Sequence, residues 1–199
     1  MRRATAIKNL RSLAELCDRV NFPGEDPMLL EAYAFGDVLD PDVEDLDVVS
    51  VALVLNLPAD EVTWWAFPQV CTALMDALRL DRTPVQAFWR PSVWPVWNHV
   101  IRRPLRFWTH DGGSDDEAFV ALSNRDADRF RLPEPTPEEQ AEQLASELDA
   151  SLTHLRRVEE SYDDREWRHD HKGFGVYPED HLWRAVHGYL DLLGAVNAR

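Results

Sequence analysis

Six carboxylates lie within residues 37–47 and form the densest group of side chains in the sequence that could do chemistry. Two of them, Asp45 and Asp47, flank Leu46 at the start of an apolar run. Residues i and i+2 of a strand share a face, and paired carboxylates supply the hard oxygen ligands that Mg²⁺ prefers beside phosphates. The spacing therefore makes Asp45 and Asp47 candidate metal ligands, with a solvated acidic loop as the alternative. The other four carboxylates are Asp37, Asp40, Asp42 and Glu44.

The apolar runs on either side of this loop are predicted strands. Residues 28–35 and 48–57 are rich in aromatic and β-branched side chains, which are typical of strands. The second run is apolar at nearly every position, so we expect a central strand that is covered on both faces.

Periodic apolar positions predict the remaining elements of the N-terminal part. Together they indicate an α/β (α+β) fold over residues 1–131, in which a small mixed sheet is flanked by helices. The predicted helices span residues 5–20 and 68–80, and the further strands span residues 85–89 and 105–108.

The C-terminal part is predicted to be a helical hairpin. Three prolines in residues 132–137 indicate a linker, because proline cannot continue a helix or a central strand. Leucines at helical spacing then predict helices over residues 138–162 and 179–196, joined by a turn at residues 173–175. Two such helices cannot bury both apolar stripes alone, so we expect the hairpin, residues 138–199, to pack on the sheet or on another subunit.

The order of helix, strand, Gly36 and an Asp45-Leu46-Asp47 strand resembles the nucleotidyltransferase fold. The resemblance implies that the turn at Gly36 approaches nucleotide phosphates, that the Asp pair binds Mg²⁺ and that a third acid lies on a later strand. Asp37 stands where the family has serine and would repel a phosphate. Gln86 stands near the expected third acid, and an amide is neither a strong Mg²⁺ ligand nor a general base.

Residues 95–108 extend this resemblance, which implies a short helix leading to a last strand. His99, Arg102 and Arg103 are spaced to share one face of such a helix. Arginines beside an Asp pair could hold a triphosphate through paired hydrogen bonds. The alternative is that these cations neutralise the acidic loop.

Two hypotheses follow for the function. The first is a degenerate nucleotidyltransferase-like domain that acts through protein or ligand binding and carries no cofactor. The second is an active Mg²⁺-dependent nucleotidyltransferase that uses Asp45 and Asp47. The departures at Asp37 and Gln86 favour the first. Residues 95–108 and 177–193 are also similar to a group of actinobacterial proteins of unassigned function, and that similarity implies no activity.

The composition limits partners and compartment. A formal net charge of −15 argues against generic nucleic-acid binding, which relies on Lys and Arg. Charge alone also suggests a third class, an acidic immunity protein or nucleic-acid mimic, although acidic surfaces are ordinary. Cys17 and Cys71 lie among apolar residues and are expected to be buried thiols. No apolar run reaches the ~20 residues of a membrane span, so we expect a cytoplasmic protein with a protein partner or a second copy.

Two groups of aromatic side chains are further candidate sites. Trp64 and Trp65 could stack a base, but adjacent tryptophans more often pack a core, and both can do so only across a bend. The histidines of the C-terminal part invite a zinc site with a neighbouring aspartate, but their spacing does not favour one. They are His169, His171, His181 and His187.

Overall fold

A mixed five-stranded sheet forms the centre of the molecule. The computed structural model of the protein describes residues 1–20, 27–173 and 176–198. The strands of the sheet are β1 (Leu29–Phe35), β2 (Val49–Leu55), β3 (Val85–Pro91), β4 (Leu105–Thr109) and β5 (Gly113–Ser114). They follow the spatial order β3-β2-β1-β4-β5. β2 is parallel to β3 and antiparallel to β1, and β1 is antiparallel to β4. The expected α+β fold with a small mixed sheet is thereby confirmed.

Three helices cover the first face of the sheet: α1 (Arg3–Val20), α2 (Gln69–Ala77) and α3 (Asp116–Ser123). Their buried apolar side chains form one cluster with the strand residues of this face, which include Leu53 and Phe107. Cys17 and Cys71 are buried free thiols in the same cluster, as the sequence predicts.

The C-terminal helices α4 (Pro137–Ser161) and α6 (Pro178–Asn197) lie on the second face. Leu144, early in α4, and Leu192, late in α6, share one apolar cluster with Tyr33 of β1. At the other end, the Tyr162 hydroxyl donates to Glu179, so the two helices run antiparallel as predicted.

A short helix, α5 (Arg165–Asp170), lies between α4 and α6 and was not predicted. Residues 174–175 of the predicted connecting turn are outside the described residues. Among the described residues, no helix is both long and apolar enough to cross a membrane.

β2 packs on both of its faces, as its uniformly apolar sequence predicts. Val51 and Leu53 belong to the cluster on the first face, whereas Ala52 and Val54 belong to the cluster on the second. Its position between β3 and β1 leaves neither of its edges free.

The short helix predicted within residues 95–108 is absent, and residues 92–104 form turns. The Asn98 side-chain oxygen accepts hydrogen bonds from the backbone N–H groups of Val100 and Ile101. Such local side-chain bonds compete with helix formation, and Pro95 and Pro104 bracket the segment. His99 and Arg102 therefore do not share a helix face, and that prediction was wrong.

Trp64 and Trp65 pack across a bend, as the sequence requires. Trp65 adopts a left-handed backbone with φ 65°, which is unusual for a bulky residue. Trp64 is buried and stacks on Phe88 of β3 with ring centroids 5.2 Å apart. Gly188 of α6 packs against this bend so closely that a Cβ at Gly188 would lie 2.1 Å from the Trp64 carbonyl oxygen.

Candidate functional site

The residues that the sequence indicates as a site lie near one end of the central strands. Gly36 follows β1 with φ +73°, a conformation that glycine adopts without strain. Asp45 and Asp47 precede β2, which starts next to the end of β1 because Phe35 pairs with Ser50. Arg102 and Arg103 precede β4, whose first residue, Leu105, pairs with Ala34 near the end of β1.

The two candidate metal ligands are exposed, and Leu46 between them is buried. The side chains of Asp45 and Asp47 form no hydrogen bond or ion pair with another described residue. Asp37 is also exposed and lies in the 3₁₀ helix Gly36–Leu39. Gln86 pairs with Ser50 at the start of β3 and adds no carboxylate. Within the described ranges, no group of three or more His, Cys, Asp or Glu side chains is placed to hold a metal ion.

The acidic loop is held by arginines other than the predicted ones. Arg125 forms an ion pair with Glu44 and donates to the Pro41 carbonyl oxygen at 2.9 Å. Arg3 donates to the Asp40 carbonyl oxygen at 2.6 Å. Arg103, in contrast, pairs with the exposed carboxylate of Asp128 at 3.1 Å.

His99 faces the C-terminal hairpin rather than the acidic loop. Its Nε2 lies 3.4 Å from Asp191 Oδ2, and its ring meets the edge of Trp64 at 5.3 Å. The Trp64 indole N–H donates to the same Asp191 oxygen at 2.7 Å. Burial opposes ionisation of Asp191, but the hydrogen bond from Trp64 and the neighbouring His99 outweigh it and lower the pKa of this carboxyl. Arg102 is exposed, and its Nε donates to the His99 carbonyl oxygen at 3.3 Å.

A cavity of about 740 Å³ opens on the second face of the sheet, beyond the area that α4 and α6 cover. It lies where the parallel strands β2 and β3 end, at Val54 and Ser92. At ~3.3 Å per residue, Val54 lies roughly 17 Å along β2 from its first residue, Val49, and Asp45 and Asp47 precede that residue. The cavity is therefore a different site from the one that the sequence indicated.

Three polar side chains from two strands form the floor of this cavity. Glu31 and Tyr33 alternate along β1, and the Tyr33 hydroxyl donates to Glu31 at 2.9 Å. Arg106 of β4 pairs in register with Tyr33, because an irregularity in the β1–β4 pairing shifts the register beside it. Cross-strand partners share a face, and Arg106 Nη1 donates to Glu31 at 3.0 Å.

The charges on this floor are balanced but accessible. Burial and the Glu31 carboxylate raise the pKa of the Tyr33 phenol, which stays protonated as a donor. Burial opposes the charge on Arg106, but the Glu31 hydrogen bond outweighs it and raises the pKa of Arg106. The Arg106 side chain is 51% exposed. Since a guanidinium has five N–H donors, donors remain for a ligand.

The wall of the cavity is the segment between β3 and β4, which carries Trp94 and Trp97. Arg90 of β3 holds this segment in place. Its Nη2 donates to the carbonyl oxygens of Pro95 at 3.0 Å and Trp97 at 3.4 Å. Arg90 itself forms a fully buried ion pair with Glu147 of α4 at 2.5 Å. The hairpin therefore holds the wall through this buried pair.

His110 adds a further polar group to the cavity lining, next to Asp111. Its Nδ1 is buried and has no hydrogen-bond partner among the described residues. A buried polar atom without a partner costs free energy. A bound ligand or water in the cavity would remove that cost.

The structure therefore defines an α+β protein with a ligand-sized cavity on its mixed sheet. The chain belongs to the family described as domain of unknown function DUF7711, whose family model matches residues 1–198. No curated protein and no solved structure gives a significant match to it.

Proposed function

We propose that the chain binds a small molecule with a planar, polar ring system, of the chemical class of a nucleoside. The observation that carries this proposal is the position of the Glu31–Tyr33–Arg106 group on the floor of the cavity that Trp94 and Trp97 line. The cavity volume of about 740 Å³ lies within the usual range of small-molecule sites.

The proposed ligand class follows from the lining groups. A guanidinium and a carboxylate side by side offer donors and acceptors to the edge of a heterocycle, and every base has a face that stacks on tryptophan. A ligand with several negative charges is disfavoured, because Glu31 and Asp111 both lie in the lining.

We further propose that the domain is nucleotidyltransferase-like but degenerate. The support is the order of elements along the chain, in which Gly36 follows β1 and Asp45 and Asp47 precede β2, together with the missing third acid at Gln86. Fewer anionic oxygens mean weaker Mg²⁺ binding. The alternative, an active Mg²⁺-dependent enzyme, is favoured only by the free, exposed state of Asp45 and Asp47.

Isothermal titration calorimetry with adenosine, guanosine, cytidine and uridine tests the binding proposal. We expect at least one nucleoside to bind, and Arg106→Met to weaken it by about tenfold or more through loss of a charged hydrogen bond. Arg102→Met is the matched control, because Arg102 is exposed outside the cavity lining. Binding that Arg106→Met leaves unchanged, or no binding tighter than about 1 mM, would refute the proposal.

Thermal unfolding with and without MgATP, together with an assay for nucleotidyl transfer, separates the degenerate form from the active enzyme. We expect no Mg²⁺-dependent rise in melting temperature and no transfer of a nucleotidyl group. A rise that Asp47→Asn abolishes would favour the active enzyme, since a metal bound to the folded state stabilises it by mass action.

A further inference from the structure

A second cavity lies between the edge strand β3, the Trp64–Trp65 bend and helix α6. Its volume is about 250 Å³, near the lower limit for a small-molecule site. Aromatic rings form much of its lining, and Arg184 of α6 is the single charged side chain among the described residues that line it. The aromatic residues are Trp64, Trp65, Phe67, Phe88 and Trp89.

Arg184 forms no direct ion pair with a described residue, although Asp180, one turn earlier in α6, acts on its charge from a distance. Its guanidinium carbon lies 5.0 Å from the centre of the Phe67 ring, and the guanidinium forms no hydrogen bond or ion pair with another described residue. Burial lowers the pKa of Arg184, and the Asp180 carboxylate opposes this shift without outweighing it.

The bend that lines this cavity is strained. Trp65 has φ 65°, and bulky residues in the left-handed region persist where the surrounding structure holds them, often at ligand sites. Its ring meets the edge of Phe88 at 5.9 Å and of Trp183 at 6.2 Å. The left-handed backbone at Trp65 therefore places its indole ring in the cavity lining.

We propose that this cavity binds a small aromatic monocarboxylate. The carboxylate would pair with the Arg184 guanidinium, whose planar fork matches it, and the ring would lie among the aromatic side chains. The volume accommodates a single ring system rather than a nucleoside, so this site is independent of the proposed nucleoside cavity.

Fluorine NMR with 4-(trifluoromethyl)benzoate as the probe tests the site, and the neutral 4-(trifluoromethyl)benzamide has nearly the same shape. We expect the benzoate to bind about tenfold or more tightly than the benzamide, since a charged hydrogen bond is lost in the amide. Arg184→Gln should reduce benzoate binding to the benzamide level and leave benzamide binding unchanged.

Two further variants keep the result interpretable. Gln86→Glu places a negative charge at an exposed position of the same lining and should weaken benzoate but not benzamide binding, even if Arg184→Gln fails to fold. Arg106→Met, in the other cavity, should leave benzoate binding intact. Equal affinity for the two probes, or benzoate binding that depends on Arg106 and not on Arg184, would overturn the proposal.

Discussion

The buried pair of Arg90 and Glu147 joins the sheet to the C-terminal hairpin, and Glu147→Gln tests its importance. Both side chains are 0% exposed, and two Arg90 nitrogens donate to the Glu147 carboxylate at 2.5 and 3.0 Å. Gln143 also donates to this carboxylate at 2.9 Å. Replacing the carboxylate with an amide leaves the Arg90 charge buried without a counterion.

The expected cost is large for a single substitution. Removing one partner of a buried ion pair destabilises proteins by about 3–5 kcal/mol, a large part of the ~5–15 kcal/mol that separates folded from unfolded states. For a chain of this size, 1 kcal/mol corresponds to about 2–4 °C in melting temperature. We therefore expect Glu147→Gln to lower the melting temperature by roughly 6–20 °C.

Urea unfolding followed by circular dichroism measures this loss directly. Glu142→Gln is the matched control, because Glu142 lies on the same helix with an exposed side chain, and we expect a change within about 0.5 kcal/mol. The double variant Arg90→Met with Glu147→Leu removes both charges. It should be more stable than Glu147→Gln, because no buried charge is left unpaired.

Two outcomes would contradict this reasoning. A loss below about 1 kcal/mol for Glu147→Gln would mean that water or another group compensates Arg90. A double variant no more stable than Glu147→Gln would mean that packing, and not the unpaired charge, accounts for the loss.

Two further predictions concern the hairpin. Gly188→Ala should destabilise the protein by about 1–3 kcal/mol in urea unfolding, because its Cβ would meet the Trp64 carbonyl oxygen. Gly194→Ala is the control, because its Cβ would meet nothing within 4 Å, and it should stabilise the protein by up to about 1 kcal/mol. Equal effects of the two substitutions would contradict the close packing at Gly188. Burial and the neighbouring His171 lower the pKa of His181 to about 4. The unfolded chain, in which the pKa of histidine is about 6.5, therefore binds this proton more tightly than the folded protein does. Stability should be full above about pH 6.5 and fall toward pH 4 by roughly 1–2 kcal/mol after solvent screening; a His181→Gln variant with the same pH profile would refute this.

The fold was largely predictable because its strands are specified locally. β2 is apolar on both faces, and its residues 49–55 lie within the run predicted as a central strand. The helices of the hairpin also carry local signals, such as the Thr136 side chain that caps α4. The six-residue helix α5 escaped prediction because it buries no side chain, although its N-terminal cap, Asp164, was a visible signal.

The turns at residues 92–104 could not be predicted, because distant groups determine them. Arg90 donates to the carbonyl oxygens of Pro95 and Trp97, and Glu147, 57 residues away in sequence, neutralises its charge. Within the segment, the spacing of His99 and Arg102 is compatible with a helix. The local sequence contains no sign of the Arg90–Glu147 ion pair. Long-range pairing of this kind overrides local propensity.

The cavity floor was also not predictable from the sequence, because residues that are distant in sequence form it. Asp45 and Asp47 are recognisable as a pair because they are neighbours in sequence, whereas Glu31 and Arg106 are 75 residues apart and meet only through the β1–β4 register. One signal was visible, since Glu31 interrupts a strand that is otherwise apolar apart from the hydroxyl of Tyr33. A polar side chain on the face of a strand that elsewhere packs against helices indicates where that cover ends. Here the hairpin leaves this part of the second face open, and the polar floor of the cavity lies there.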